Sequence, residues 1–346
     1  MTGPLRIDGS GGEGGGQILR TALTLSAITG QPFAIDKIRA RRVRPGLRPQ
    51  HLAAIRAATL ACGADVHGAF EGSPDLRFSP GSVKAGRFRF EIETAGAASL
   101  VLQTVLPILA TADEPSQVEV TGGTHVPASP SASYLRRHWA AVVARLGLRT
   151  RIELVRAGFY PRGGGELRAV VEPWARGQGL SLEQRGAFVG LAGESGAGRL
   201  KGNVARRQRD AAEARFWEEK RWPAAWDVLD APSASPGSFL LVEAIFETGR
   251  LAIGFLGEKG MPAEQIGDRA ARHLLKLIEA SDSAVDGHLA DQLVVPISAA
   301  GGGGRVTTCE VTRHLETVAE TARLFGVDVR VTGRRGGPGA VEVARV

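Results

Sequence analysis

Cysteine is almost absent: Cys62 and Cys309 are the only two among 346 residues. Two thiols cannot make a zinc site by themselves, and they are too few for a disulfide framework. Both fall in apolar segments that read as buried core, so a reducing, cytoplasmic compartment is the expected setting. Aromatic residues are scarce at 5%, which argues against a surface that stacks many bases. No apolar run approaches the roughly 18 residues of a membrane span. No signal-peptide pattern is read at the start, and a soluble protein is expected.

What the chain does have is glycine, apolar residues and positive charge. There are 46 glycines, hydrophobic residues make up 43%, and the formal net charge is +7. The apolar content is ample for a core, and the length allows two domains or one with an insertion. The charge favours a polyanionic partner such as nucleic acid, a nucleotide or an anionic surface.

The glycines are densest in "IDGSGGEGGGQILR", from Ile7 to Arg20. A short strand precedes them, an apolar helical pattern follows, and Gly9, Gly11 and Gly14 satisfy G-x-G-x-x-G. Asp36 closes the next strand about 20 residues on, where a dinucleotide-binding fold places its ribose acid. Two points oppose that reading. Glu13 is a bare carboxylate where phosphate would sit, which makes sense if it holds a bridging divalent cation. The rest of the chain also lacks the strand–helix alternation of a doubly wound sheet. Arg20, one turn after Gln17, shares its helix face.

An internal repeat organises the remainder. "QHLAAIRAATLACGADVHG", "YLRRHWAAVVARLGLRTRIEL" and "RHLETVAETARLFGVDVRVTG" each read as an amphipathic helix, a glycine and a strand. Gly63, Gly147 and Gly326 stand where a helix C′ glycine stands. A helix with a glutamine near its start precedes each unit, at Gln17, Gln103 and Gln292, and "PFAI", "QVEV" and "RVTT" are strand-like segments between the two helices. The fold class read from this is α/β (α+β): three β/α units, each with two helices on a small sheet. Three equivalent units converge their special residues on one cleft, which marks Gln17, Gln103, Gln292, His51 and His314.

Residues of about 180 to 280 break the pattern. "GESGAGRLKG" reads as loop, "NVARRQRDAAEARFWEEKRW" as a charged helix, "SFLLVEAIFE" and "RLAIGFLGE" as strands, and the segment after Pro262 as a helix. The expected division is a large unit of residues 1–180 and 281–346 and an inserted smaller α/β unit of residues 181–280.

Six cations lie between Lys37 and Arg48: Lys37, Arg39, Arg41, Arg42, Arg44 and Arg48. Arginine suits bidentate phosphate contact, and such a run on a loop with a Pro45-Gly46 turn points to phosphate or RNA backbone. The glycine loop offers backbone N–H groups to phosphate at the start of the Gln17 helix. Among the seven histidines no spacing makes a metal site. His67, His138 and His273 default to the surface or to structural roles. His314 opens a helix, where the dipole favours the neutral imidazole that a nucleophile needs. His288, Asp291 and Gln292 cluster near another helix start.

At this point the motifs resemble a known family. "GSGGEGGGQILRTALTLSAITG", "IRARRVRPGLRPQHL", "GGT", "GFYPRGGGE", "GEKGMPAEQIG", "HLADQLVVP" and "TRHLETV", in this order, are similar to those of the RNA 3′-terminal phosphate cyclases. The resemblance covers nearly the whole chain. It implies a large domain of three repeated β/α units with a smaller inserted domain. It also implies ATP-dependent conversion of an RNA 3′-phosphate to a 2′,3′-cyclic phosphate. The family's adenylylated histidine corresponds to His314, its ATP site to Gln103, Pro130, His288, Leu289, Ala290, Asp291 and Gln292, and its metal carboxylate to Glu13, with Mg2+ or Mn2+ bound. Arg20, Arg39, Arg42, Gln50 and His51 correspond to its polar active-site residues, with Arg20 and Arg42 taken as catalytic and Gln17 beside them. The implied partner is RNA with a 3′-phosphate end, in the cytoplasm, with no membrane. The chain departs from the family at His125, Ser131 and Ser133, which bears on the adenine side of the pocket.

Three other functions compete, one of them a non-catalytic RNA-binding module supported only by the positive charge. Paralogues in ribosome assembly lack the nucleophilic histidine, so His314 favours an enzyme. An NADP-binding oxidoreductase, with Arg39 to Arg42 on the 2′-phosphate, accounts for neither Glu13 nor the threefold repeat.

Overall fold

The helix after the glycine-rich stretch, α1 (Gln17–Thr29), is buried from Ile18 to Ala27 except at half-buried Arg20, and stops at Gly30, whose φ of 74° a side chain rarely adopts. It joins two parallel strands, β1 (Leu5–Asp8) and β2 (Phe33–Asp36), as a parallel pair requires. α2 (Pro49–Cys62), β3 (Asp65–His67) and β4 (Leu76–Ser79) complete a four-stranded sheet of order β1-β2-β4-β3. The structure is a computed structural model that describes residues 3–12 and 15–345.

The same path occurs twice more. The second unit is β5 (Arg87–Glu91), α3 (Ala98–Leu109), β6 (Ser116–Gly122), a helical stretch, β7 (Thr150–Arg156) and β8 (Gly165–Val171). The helical stretch begins as a π-helical turn over Tyr134–Trp139, continues as α4 (Ala140–Val143) and tightens into a 3-10 turn over Ala144–Leu146. The third unit is β9 (Leu180–Leu182), α7 (Gly287–Ala300), β14 (Gly304–Thr308), α8 (Arg313–Leu324), β15 (Val329–Gly333) and β16 (Gly339–Val343). Its sheet order, β9-β14-β16-β15, and the second, β5-β6-β8-β7, repeat the first. In each sheet the first two strands are parallel and the remaining pairs antiparallel. The three expected C′ glycines take positive φ: 61° at Gly63, 85° at Gly147 and 80° at Gly326.

Between β9 and α7 lie β10 (Phe188–Gly198), α5 (Val204–Lys220), β11 (Ala224–Asp230), β12 (Gly237–Phe246), β13 (Arg250–Leu256) and α6 (Ala263–Ala280). They form a fourth sheet, β11-β10-β12-β13, with an apolar cluster around Phe216, Leu240, Val242 and Leu274. The large cluster under the three repeats runs from Ile7 to Val343. Ser181 and Leu182, within the interval assigned to the insert, belong to β9 and pair with β14.

One expectation needs correction, and one exclusion holds. "GESGAGRLKG" is loop only in its second part: Gly193 to Gly198 are the end of strand β10, and residues 199–202 form the turn before α5. The glycines serve close packing there, since a Cβ on Gly193 would overlap the Trp226 ring and one on Gly196 the Phe239 ring. A doubly wound dinucleotide fold is also excluded, because the parallel β1-α1-β2 unit is followed by small mixed sheets. Cys62 and Cys309 are free and buried. Among the described residues no helix is long and apolar enough to cross a membrane.

Candidate active site

The inner helices α1, α3 and α7 each turn one stripe of side chains toward a common cleft of about 550 Å³. The stripes follow helical spacing: Gln17, Arg20, Thr21 and Thr24; Leu100, Gln103 and Thr104; His288, Asp291, Gln292, Val295 and Pro296. Thr24 Oγ1 donates to the Thr104 carbonyl at 3.0 Å and ties α1 to α3. Two helices also share a signal that sequence reasoning missed: proline four residues after glutamine, at Pro107 and Pro296. Each proline removes the N–H that would bond the glutamine carbonyl, so both helices carry the same local irregularity beside the cleft.

Within the cleft Gln103 Nε2 donates to Gln292 Oε1 at 2.5 Å, joining the second and third repeats. Arg20 donates to Gln17 Oε1 at 2.6 Å. His314 reaches the cleft from the first turn of α8, whose N-cap Thr312 accepts from the Leu315 N–H at 3.0 Å. The α8 helix is pinned to the glycine loop, because Arg313 donates to the Gly12 carbonyl. Gly12 has φ of 53°, and a Cβ there would overlap Thr317. Asp291 is 6% exposed, and burial pushes its carboxyl up to about 7, with His314 and His288 opposing the rise. An acid poised there exchanges protons near neutral pH.

The loop of Val126–Ser131 forms another wall, and the Pro130 carbonyl accepts from Ser99 Oγ at 2.6 Å. The last wall is Ala252–Leu256 of β13, with His273 of α6 beside it. His273 is exposed, as expected, yet it lines the cleft. Leu289 and Ala290 do not line it: both are fully buried in the core behind α7.

Gln50, His51, Arg39 and Arg42 lie outside the cleft, next to it. His51 is 2% exposed, and its Nδ1 accepts the Arg48 N–H at 3.0 Å. Burial, then Arg20, Arg39 and Arg48, pull its pKa down to about 3. It is therefore neutral, with its proton on Nε2. A Cβ on Gly16 would overlap His51 Nε2 and crowd Arg20, so this glycine allows His51 to pack against the start of α1. Arg39 donates to the carbonyls of Arg44, at 2.8 Å, and Gly46, at 3.0 Å, which shapes the loop. Burial and the neighbouring Arg42 and Arg48 lower its pKa. Gln50 packs its Cβ near Gly96. A cationic surface thus runs from Arg20 through Arg48 to Arg42.

Behind the cleft lies a buried ionic network that sequence reasoning missed. His138, expected at the surface, is fully buried. Its Nε2 lies 2.8 Å from Asp286 Oδ2, and its Nδ1 faces Glu243 Oε1 at 3.4 Å, an ion-pair contact too long for a good hydrogen bond. The flanking carboxylates raise the His138 pKa against the effect of burial. Asp286 Oδ1 also accepts from the Tyr134 hydroxyl at 2.8 Å and caps α7 through the His288 and Leu289 N–H groups. The departures found in the sequence form a chain of their own: His125 Nε2 lies 3.1 Å from Ser133 Oγ, which donates to Glu194 Oε1 at 2.6 Å. Ser131 lines the cleft.

Glu13, the expected metal ligand, lies outside the described residues. Among the described residues no three His, Cys, Asp or Glu side chains converge as a metal site needs.

A model of the RNA 3′-terminal phosphate cyclase family matches residues 11–331. The chain is 44% identical over 335 residues to the RNA 3′-terminal phosphate cyclase of Ralstonia nicotianae, covering 96% of this chain and 94% of the relative. It is 42% identical over 327 residues to that of Caldivirga maquilingensis, covering 93% and 92%. With the Salmonella paratyphi C protein of the same name it shares 42% over 333 residues, covering 96% and 95%. The chain belongs to the RNA 3′-terminal phosphate cyclase family.

Proposed function

We propose that this chain uses ATP to convert an RNA 3′-terminal phosphate into a 2′,3′-cyclic phosphate, through a histidyl-AMP at His314. The observation that carries the reading is that His314 shares one cleft with Arg20, Gln103, Asp291 and Gln292, drawn from all three repeats.

Neutral His314 attacks the α-phosphorus of ATP, forming a P–N bond as the bond to pyrophosphate breaks. The P–N bond then breaks as AMP passes to an oxygen of the RNA 3′-phosphate. The vicinal 2′-hydroxyl passes its proton to solvent and attacks that phosphorus, forming the 2′-O–P bond as the anhydride P–O bond to AMP breaks and AMP leaves. Each step concentrates negative charge, which Arg20, fixed by Gln17, is placed to offset. Asp291 lines the same cleft, responds to the charge of His314 and is assigned the proton exchange. The Gln103–Gln292 pair and the Pro130 loop orient the nucleotide. Arg39 and Arg42 attract the RNA backbone, and neutral His51, with Gln50 beside it, supports Arg48 and Arg20. The final step selects RNA over DNA, because it needs a 2′-hydroxyl. Mg2+ or Mn2+ on Glu13 belongs to the same reading. The described donors do not themselves make a metal site.

A cytoplasmic location and a division into residues 1–180 with 281–346 and an inserted 181–280 are part of this proposal. The test is to incubate protein, ATP and a 3′-phosphorylated oligoribonucleotide, then treat the RNA with phosphatase. Terminal phosphate that becomes resistant, and is released after acid opening of the ring, supports the reading. Phosphate that stays fully labile refutes it.

A further inference from the structure

Phe70 is 62% exposed, whereas Phe33, Phe78, Phe90, Phe216 and Phe239 are all buried. Phe70 is the one exposed phenylalanine among the described residues, and it belongs to none of their apolar clusters. Its turn, between β3 and β4, is bonded to the arginine loop. The Gly72 N–H donates to the Leu47 carbonyl and the Leu47 N–H to the Ser73 carbonyl, each at 2.9 Å. Arg48 pairs with Glu71 at 3.0 Å, so the acid beside Phe70 is already engaged. Val43, at the tip of the arginine loop, is fully exposed. From Arg48 a hydrogen bond leads to His51, and His51 and Arg20, which lines the cleft, both lie beside Gly16.

We propose that Phe70 and the arginine loop form a docking platform for the single-stranded RNA that leads into the cleft. Phe70 stacks on a base upstream of the terminal nucleotide, and Arg42 and Arg44 take flanking phosphates. This rests on the cyclase reading for where the 3′ end lies. Single-stranded RNA is the occupant that fits, because an exposed ring among cations offers a stacking face that every base can use and charge that every phosphate needs. An acidic apolar peptide fits the charge but gives no reason for the platform to lie beside residues that adjoin a nucleotide-transfer cleft.

The test compares Phe70→Ala and Phe70→Trp with wild type on two substrates: a short single-stranded oligoribonucleotide with a 3′-phosphate, and a 3′-phosphorylated dinucleotide too short to reach the platform. Phe70→Ala is expected to raise KM for the oligonucleotide about tenfold, with the salt dependence unchanged, since stacking releases no counterions. The dinucleotide KM, and labelling of the protein by ATP alone, stay at wild-type values, and Phe70→Trp keeps wild-type KM on both substrates. Equal oligonucleotide KM for wild type and Phe70→Ala overturns the proposal, as does an equal rise for both substrates. Should wild type fail to cyclise either RNA yet bind the oligonucleotide in a Phe70-dependent way, the cyclase reading falls and the platform stands.

Discussion

His138 Nε2 lies 2.8 Å from Asp286 Oδ2, in full burial, and this pair joins three parts of the molecule. His138 comes from the second repeat, Asp286 caps the helix that carries His288, Asp291 and Gln292, and Glu243 on the other side of the ring belongs to β12. The Ala252 N–H, on the cleft wall, also reaches Asp286 at 3.3 Å.

Removing the imidazole leaves two buried carboxylates facing each other. His138→Ala is expected to lose about 3–5 kcal/mol of stability, measured by denaturant unfolding at neutral pH. A loss below about 1 kcal/mol contradicts the network's role. The pH sign follows from Glu243, held down at about 2 against 4.5, with burial opposing and His138, Arg250 and Arg137 lowering it. Its contribution is full above about pH 4.5 and is lost as pH falls through about 2. Glu243→Gln is expected to flatten that acid limb.

Asp291 titrates with the opposite sign. Burial raises it to about 7 from 3.8, so the folded chain keeps a proton that the unfolded chain releases. The stability from this group is full below about pH 3.8 and lost as pH rises through about 7. Asp291→Asn is expected to be more stable than wild type by about 2–4 kcal/mol at about pH 8 and equal to it near pH 4. Thermal unfolding at the two pH values checks this.

Gly16 leaves room for His51 and Arg20, and a methyl group there has nowhere to go. Gly16→Ala is expected to displace both side chains and to cut kcat/KM for RNA by about a hundredfold, the scale of a 1 Å misplacement. Near-wild-type kinetics contradict the packing described for the start of α1.

The arginine loop is expected to act through counterion release. Arg42→Ala should weaken RNA binding alike for all sequences and reduce the slope of log affinity against log salt by about one. Binding titrations from low to moderate salt decide it. An unchanged slope places Arg42 off the RNA path.

The repeat was legible because its markers are local. An amphipathic helix, a C′ glycine and a following strand are spaced by the helix itself, so Gly63, Gly147 and Gly326 read correctly from sequence. The glutamines read as a set for the same reason, and α1, α3 and α7 bring all three to the cleft. His138 was not legible. Its partner Asp286 is 148 positions away, and a histidine among arginines in an amphipathic helix gives no sign of what covers it. The glycines of β10 misled because a residue suited to turns also suits a strand beneath the Trp226 and Phe239 rings. β13 as a cleft wall follows only from how the fourth sheet sits on the repeats, which no local pattern encodes.

A covalent bond between His314 and AMP is the step most open to direct measurement. Protein is incubated with α-labelled ATP and a divalent metal, denatured, and examined for label that is labile in acid and stable in alkali, as a phosphoramidate is. Labelled wild type and unlabelled His314→Ala are expected. Wild type that stays unlabelled, or His314→Ala that labels as well as wild type, contradicts that bond.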